Sequence, residues 1–285
     1  MSEATGTTQL EELLDSALRV EREAHRSNAL LWYEPANPVL ADAHMSPARV
    51  VGVFGGNRSG KSEFGLVEVA ILATGVVPRA LQPTYPKVKL RGDAPRGVRI
   101  RVVCTDFVNG IAKIILPKLR DGDEHHGPWI PKHSLINGSW EQSWNEKQRT
   151  LRVQRDLWWA SGRRLTDWST IEMMSYDQET PRFSGTSRHL TLFDELPPHD
   201  VWKECQMRHM DVGGRSLITL TPPDTTGDIA WIFDDIYEVG QPAHPRYNPD
   251  RIQCYTIFTE HNLHLDPAEV DQIRQHLTPD ETETR

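Results

Sequence analysis

Val50-Val51-Gly52-Val53-Phe54-Gly55-Gly56-Asn57-Arg58-Ser59-Gly60-Lys61-Ser62 is an apolar run that enters a complete G-x-x-x-x-G-K-[ST] phosphate loop. Glycines are needed there because backbone N–H groups must turn inward and come close to phosphate oxygens, which side chains would prevent. Lys61 is placed to meet the β and γ phosphates as a point charge, and the Ser62 hydroxyl to take one position on Mg²⁺. Glu63 to Thr74 has helical composition and ends at Gly75, so bound phosphates would lie at a helix N-terminus. Nucleoside triphosphate binding is the function class this stretch implies.

The same alternation of strand and helix continues outward. Val98–Cys104 reads as a second strand, followed by a helix from Asp106 to Arg120 in which Pro117 kinks the last turn. Leu151–Trp159 and Trp168–Ser175 read as a hairpin or sheet edge. Leu190–Phe193, Ser216–Leu220 and Ile252–Ile257 are three further apolar strands. Thr8 and Glu11 form a capping box ahead of an amphipathic first helix, Trp32 to Pro47 is a proline-punctuated connector, and Asp121 to Trp144 reads as irregular surface. The expectation is an α/β chain with a mostly parallel central sheet flanked by helices. The divisions expected are an N-terminal helical arm and adenine-side connector over 1–48, a nucleotide-binding core over 49–260, and a lid or linker over 261–285.

Composition narrows the classes. The 285 residues carry a formal net charge of −8, which argues against a surface coated in basic charge for nucleic acid while leaving room for local patches. Lys87, Lys89, Arg91, Arg96, Arg99 and Arg101 form one such patch, and Lys147, Arg149, Arg152, Arg155, Arg163 and Arg164 a second. Each is a candidate for contact with DNA backbone and equally for a solvated face. Trp158 and Trp159, beside the second, read as core. Cys104, Cys205 and Cys254 form no C-x-x-C pair and suit a reducing cytoplasm; no apolar run approaches a membrane span, and no leader pattern opens the chain. His125, His126 and His133 have no cysteine nearby and no ligand spacing, so no zinc site is expected from them.

Leu190-Thr191-Leu192-Phe193-Asp194-Glu195 supplies the second half of a nucleotide site: a strand expected beside the first and ending in adjacent carboxylates. Asp194 would hold Mg²⁺ through water, and Glu195 would orient and polarise the attacking water, the role a hydrolase needs. Ser216 to Pro223 adds a strand whose end carries the Thr221 hydroxyl, suited to sensing the γ phosphate.

With GGNRSGKS at Gly55–Ser62, TGVVP at Thr74–Pro78, SYDQETPRFSG at Ser175–Gly185, LFDELPP at Leu192–Pro198 and LTP at Leu220–Pro222, the chain resembles the ATPase domain of the large terminase subunit of tailed phages. The resemblance extends from about Tyr33 onward. It implies an ASCE-type P-loop ATPase that uses ATP and Mg²⁺ to translocate double-stranded DNA into a procapsid in the cytoplasm of an infected bacterium. It also implies portal and small terminase subunit partners, and a homo-oligomeric, pentameric ring on the portal that is monomeric in isolation.

Carried over residue by residue, Arg58 corresponds to the loop arginine, Lys61 and Ser62 to the phosphate and Mg²⁺ ligands, Asp194 to the Mg²⁺ aspartate, Glu195 to the catalytic glutamate and Thr221 to the coupling residue. Gly55, Gly56, Asn57, Ser59 and Gly60 complete the loop, and Tyr33 lies on the adenine side. Family members often carry an adenine-reading glutamine shortly after Tyr-x-Pro; here Val39 stands at that spacing after Tyr33 and Pro35. Arg182 and Arg188 are candidates for an arginine supplied to a neighbouring subunit. The family continues into an RNase H-like nuclease domain, for which the chain after Asp266–Leu277 leaves no room, so an isolated motor domain without nuclease activity is expected. The rivals are another nucleic-acid ATPase such as a helicase, and a nucleotide-gated binding module.

Overall fold

The computed structural model describes residues 2–90, 97–158, 164–222 and 230–275. Arg91, Arg96, Trp159, Arg163 and Pro223 lie outside the described residues, as does the end of the expected lid.

Among the described residues eight strands form one sheet: β1 Val50–Gly55, β2 Arg99–Cys104, β3 Trp144–Asn145, β4 Thr150–Trp158, β5 Arg164–Ser175, β6 Leu190–Asp194, β7 Arg215–Leu220 and β8 Ile252–Ile257, in the order β3-β4-β5-β2-β6-β7-β1-β8. Pairing is parallel from β5 through β8, while β3 and β4 extend the β5 edge antiparallel, with Thr150 opposite Glu172. The expected hairpin is therefore present and caps one end of the parallel sheet. One expectation on strand adjacency fails: β6 does not lie beside β1, because β7 is inserted between them and pairs with both.

Alternation along the strands feeds two cores. Val51, Val53, Val102, Leu192 and Leu217 face the helix α3 (Lys61–Thr74), whereas Val50, Phe54, Val103, Phe193 and Ile218 face Trp202 and Cys205 of the helix at His199–His209 together with Ile232 and Ile236. α3 is buried from Phe64 to Thr74 and ends where Gly75, at φ +81°, donates its N–H to Ile71 O.

Helix α1 spans Ser2–Ser27, so Thr8 is interior to it and not its cap. The connector from Trp32 to Pro47 contains a second helix, α2 (Pro38–Met45), started by Asn37, whose side chain accepts from Leu40 N, and by Pro38 in its first turn. After β2, Phe107–Ile115 winds as a π-helix capped by Asp106, then tightens into α-helix at Leu116–Arg120; Pro117 sits in the first turn of that piece, next to the change of winding and not in its last turn. The segment from Asp121 to Trp144 is not simply surface, since Trp129, Ile130, Leu135 and Trp140 are buried in the core on the α3 side. All three cysteines are buried and free. Among the described residues no helix is long and apolar enough to cross a membrane.

Candidate nucleotide site

The loop after β1 closes on itself. Gly56 O accepts from Ser59 Oγ at 2.7 Å and from Lys61 Nζ at 3.0 Å, so the Lys61 ammonium lies inside the curve of the loop. Burial lowers the Lys61 pKa, and the nearby Glu195 and Asp194 carboxylates oppose that shift and favour its charge. Gly60 stands at φ +96°, and a Cβ there would meet Ala36 Cβ at 2.9 Å, so the residue type is dictated by both conformation and space. Arg58 also has positive φ, at +61°, and its side chain is exposed.

The interposed β7 raises the question of how Ser62 reaches Asp194, two strands away from its own. α3 crosses the sheet on β6 and β7 at Gly65, where a Cβ would lie 2.7 Å from Leu192 Cδ1 and 3.3 Å from Thr219 Cγ2. That close approach lets Ser62 Oγ donate to Asp194 Oδ1 at 3.0 Å. Thr219, register partner of Asp194, donates its hydroxyl to the same oxygen at 2.8 Å.

Glu195 follows β6 at φ +70°, with its N–H on Thr219 O at 2.8 Å. Its carboxylate is held by Thr221: Oε2 accepts from the Thr221 N–H and Oε1 from the Thr221 hydroxyl, each at 3.0 Å. Tyr176, one residue past β5, donates its hydroxyl to Glu195 O at 3.0 Å. Gly56, Ser59, Lys61, Ser62, Asp194, Glu195 and Thr221 thus converge at the ends of three neighbouring strands, the crevice position at which α/β sheets bind ligands.

Several contributors were not singled out from sequence. Thr219 shares the strand face of Thr221 by period-two alternation, a signal present in the sequence but unused. Thr259 Oγ1 and Asn262 Nδ2 donate to Asn57 O and Arg58 O, each at 2.7 Å, and Leu263 N donates to Ala36 O at 2.8 Å, so the segment after β8 ties the loop to the connector. No local pattern marks contacts between segments so far apart in the chain. Tyr33 is buried, its hydroxyl 3.0 Å from His44 Nε2 and its ring edge-on to Trp129, so it builds the wall on this side from within the core.

Arg182 is exposed on the turn Thr180–Phe183. Arg188 is not available to a neighbouring subunit: it is buried and pairs with Glu172 Oε2 at 2.7 Å, beside Arg101 at 2.8 Å on the same oxygen. Of the described residues in the two basic stretches, Lys89, Arg101 and Arg155 are buried, the first on Glu68 and the last donating to Leu72 O at 2.9 Å, Arg149 is half-buried, and Arg99, Lys147 and Arg152 are exposed.

No protein-family model matches the chain. It is similar to the large terminase subunit of Salmonella phage P22, with 28% identity over 238 residues, 78% of this chain and 45% of that protein. The chain thus spans less than half the length of this relative. Its fold matches the ATPase domain of the Thermus phage P74-26 large terminase at a TM-score of 0.57, with 18% identity over 88% of this chain and 92% of that one. The large terminase of a second, thermophilic bacteriophage aligns at a TM-score of 0.55, with 12% identity over 86% of this chain and 51% of that one. A structure of that same terminase in complex with ATP-gamma-S aligns at 0.51 and 11% identity, over 86% and 50%. The fold is that of a large-terminase ATPase domain, as the motifs imply.

Proposed function

We propose that this chain is the ATP-hydrolysing motor part of a viral DNA-packaging terminase, acting in the host cytoplasm on double-stranded DNA with portal and small-subunit partners. The observation that carries the reading is the convergence of Lys61, the Ser62–Asp194 pair and the Thr221-held Glu195 in one crevice. Ser62 Oγ and the Asp194 carboxylate are hard oxygen donors at adjacent positions and fit Mg²⁺, which when bound neutralises charge on the β and γ phosphates. Lys61 stabilises the charge that builds on the γ phosphate in the transition state. Glu195 accepts a proton from the attacking water as its oxygen bonds to the γ phosphorus and ADP leaves. Because Thr221 directly follows β7 and grips both Glu195 oxygens, loss of that grip links turnover to movement of the β7 end. Arg58, exposed on the loop, is assigned to meet the γ phosphate within its own site.

Steady-state phosphate release from Mg-ATP, with and without linear duplex DNA, tests the proposal. Turnover that rises with DNA and vanishes in Lys61→Ala is expected. Nucleotide binding without turnover would replace the motor by a gated binding module.

A further inference from the structure

Outside the nucleotide crevice, one cluster of side chains has the composition of a metal site. Glu63 in the first turn of α3 and Asp123 and His126 in the loop after the helix at Leu116–Arg120 each present a ligand atom, all within 4.8 Å of one another. His126 Nε2 lies 3.2 Å from Asp123 Oδ2 and 3.5 Å from Glu63 Oε2. The tautomer follows from chemistry: His126 Nδ1 is 2.7 Å from Gly127 O, and a carbonyl can only accept, so Nδ1 carries hydrogen. Nε2 therefore faces two carboxylate oxygens, which favour a proton on it in the metal-free chain; a divalent ion bound there would displace that proton. The Nε2 atom is buried, with these two carboxylates as its polar neighbours.

The remaining groups are arranged as supports. Asp123 Oδ1 accepts from His125 N and His126 N at 2.8 and 3.1 Å, which fixes the loop and leaves Oδ2 toward the imidazole. Trp129 Nε1 donates to Glu63 Oε2 at 2.6 Å, while Lys118 engages Glu63 Oε1. Orientation of each ligand by a second hydrogen bond is the usual outer shell of a metal centre. In a tetrahedral zinc site with bonds near 2.0 Å, ligand atoms stand about 3.3 Å apart, and the two observed imidazole–carboxylate separations bracket that value.

We propose that Glu63, Asp123 and His126 bind one Zn²⁺-type divalent ion, with solvent completing its coordination. The imidazole nitrogen in the set selects zinc-like ions over Mg²⁺. The ion joins the residue next to Ser62 to a loop that packs on the end of α1, where Arg26 Nη2 donates to Asp123 O at 3.1 Å. It acts as a staple on the base of the phosphate-loop helix and takes no part in hydrolysis.

The test uses the whole chain, free of any affinity tag and stripped of metal, titrated with Zn²⁺ against a chromophoric chelator and separately with Co²⁺. One Zn²⁺ per chain is expected, with Co²⁺ giving the intense visible absorption of a four-coordinate site. His126→Gln and Asp123→Asn each weaken binding by tenfold or more and abolish the Co²⁺ spectrum, and Trp129→Phe weakens it about tenfold. His125→Gln and His133→Gln leave it unchanged. Asp123→Asn keeps the Oδ1 acceptor of the loop, so it reports on ligation even if His126→Gln folds poorly by circular dichroism. Absence of stoichiometric binding, or equal binding by parent and Asp123→Asn, overturns the site and leaves an imidazolium paired with two carboxylates.

Discussion

Glu68 shows how much a single residue can ask of the fold around it. It lies in the middle of the buried helix α3, where a bare carboxylate would be expelled. Lys89 Nζ at 2.8 Å, His44 Nδ1 at 2.6 Å and the Tyr85 hydroxyl at 3.1 Å surround it. Burial alone would raise its pKa, but the Lys89 charge and the His44 hydrogen bond outweigh burial and bring it to about 2. A carboxyl depressed in the folded state contributes stability that is full above its unfolded pKa of about 4.3 and is lost as pH falls toward 2. Glu68→Gln leaves the buried Lys89 without its counter-charge, holding only the His44 carbonyl at 2.6 Å, and is expected to cost about 3 kcal/mol, read as a fall in Tm of roughly 6–12 °C that flattens below pH 4. Adding Lys89→Met to it restores part of the loss.

In the crevice, Lys61→Ala removes charge stabilisation and lowers turnover by about 10²-fold or more. Glu195→Gln keeps Mg-ATP binding, measured with a fluorescent analogue, while phosphate release falls by roughly 10²–10⁴-fold. Wild-type turnover in Glu195→Gln would remove that residue from the chemistry.

At the scale of the element, the crossing of α3 over β7 decides whether the two halves of the site meet. Gly65 is the contact point, 2.7 Å from Leu192 Cδ1 once a Cβ is added. Gly65→Val overpacks that contact by about 1–3 kcal/mol and shifts Ser62 away from Asp194. Since an error near 1 Å at a reacting geometry costs on the order of 10²-fold, phosphate release should fall far more than Tm does. A variant whose activity drops only in step with its folded fraction would show that the crossing distance is not critical. The β7 end gives a second test. Thr221→Val removes the hydroxyl bond to Glu195 Oε1 but keeps the backbone one, so basal hydrolysis should persist while its stimulation by DNA is lost.

For the whole molecule, the question is what a neighbouring copy contributes. Arg188 is committed to Glu172, whereas Arg182 stands exposed on a turn anchored by the buried Phe183. Mixtures of Arg182→Ala with Lys61→Ala subunits should recover part of the phosphate release that each lacks alone. No recovery under conditions where the parent assembles would exclude a trans role for this arginine. Among the described residues of the two basic stretches Arg99, Lys147 and Arg152 are exposed, and a duplex grip through these three alone should weaken only shallowly with salt, with a log–log slope of about −3.

What the sequence determined by itself is whatever local spacing encodes. The phosphate loop, its strand and helix, the Gly75 stop, the Asp194-Glu195 strand end and the Thr221 strand end are each specified by residues within one turn or one strand of each other. Alternation likewise marks β2, and short apolar runs mark β6, β7 and β8. Tertiary structure alone decided the order of those strands, with β7 inserted between β1 and β6, because parallel pairing is chosen by packing on both faces of the sheet. It also decided which charges are interior: Lys89, Arg101, Arg155 and Arg188 read as surface in a linear count, yet each is buried against a carboxylate or carbonyl from a segment distant in the chain. For the same reason the residues around His126 show no ligand spacing: Glu63, the carboxylate that joins Asp123 and His126, lies on α3 and is brought to them only by the fold.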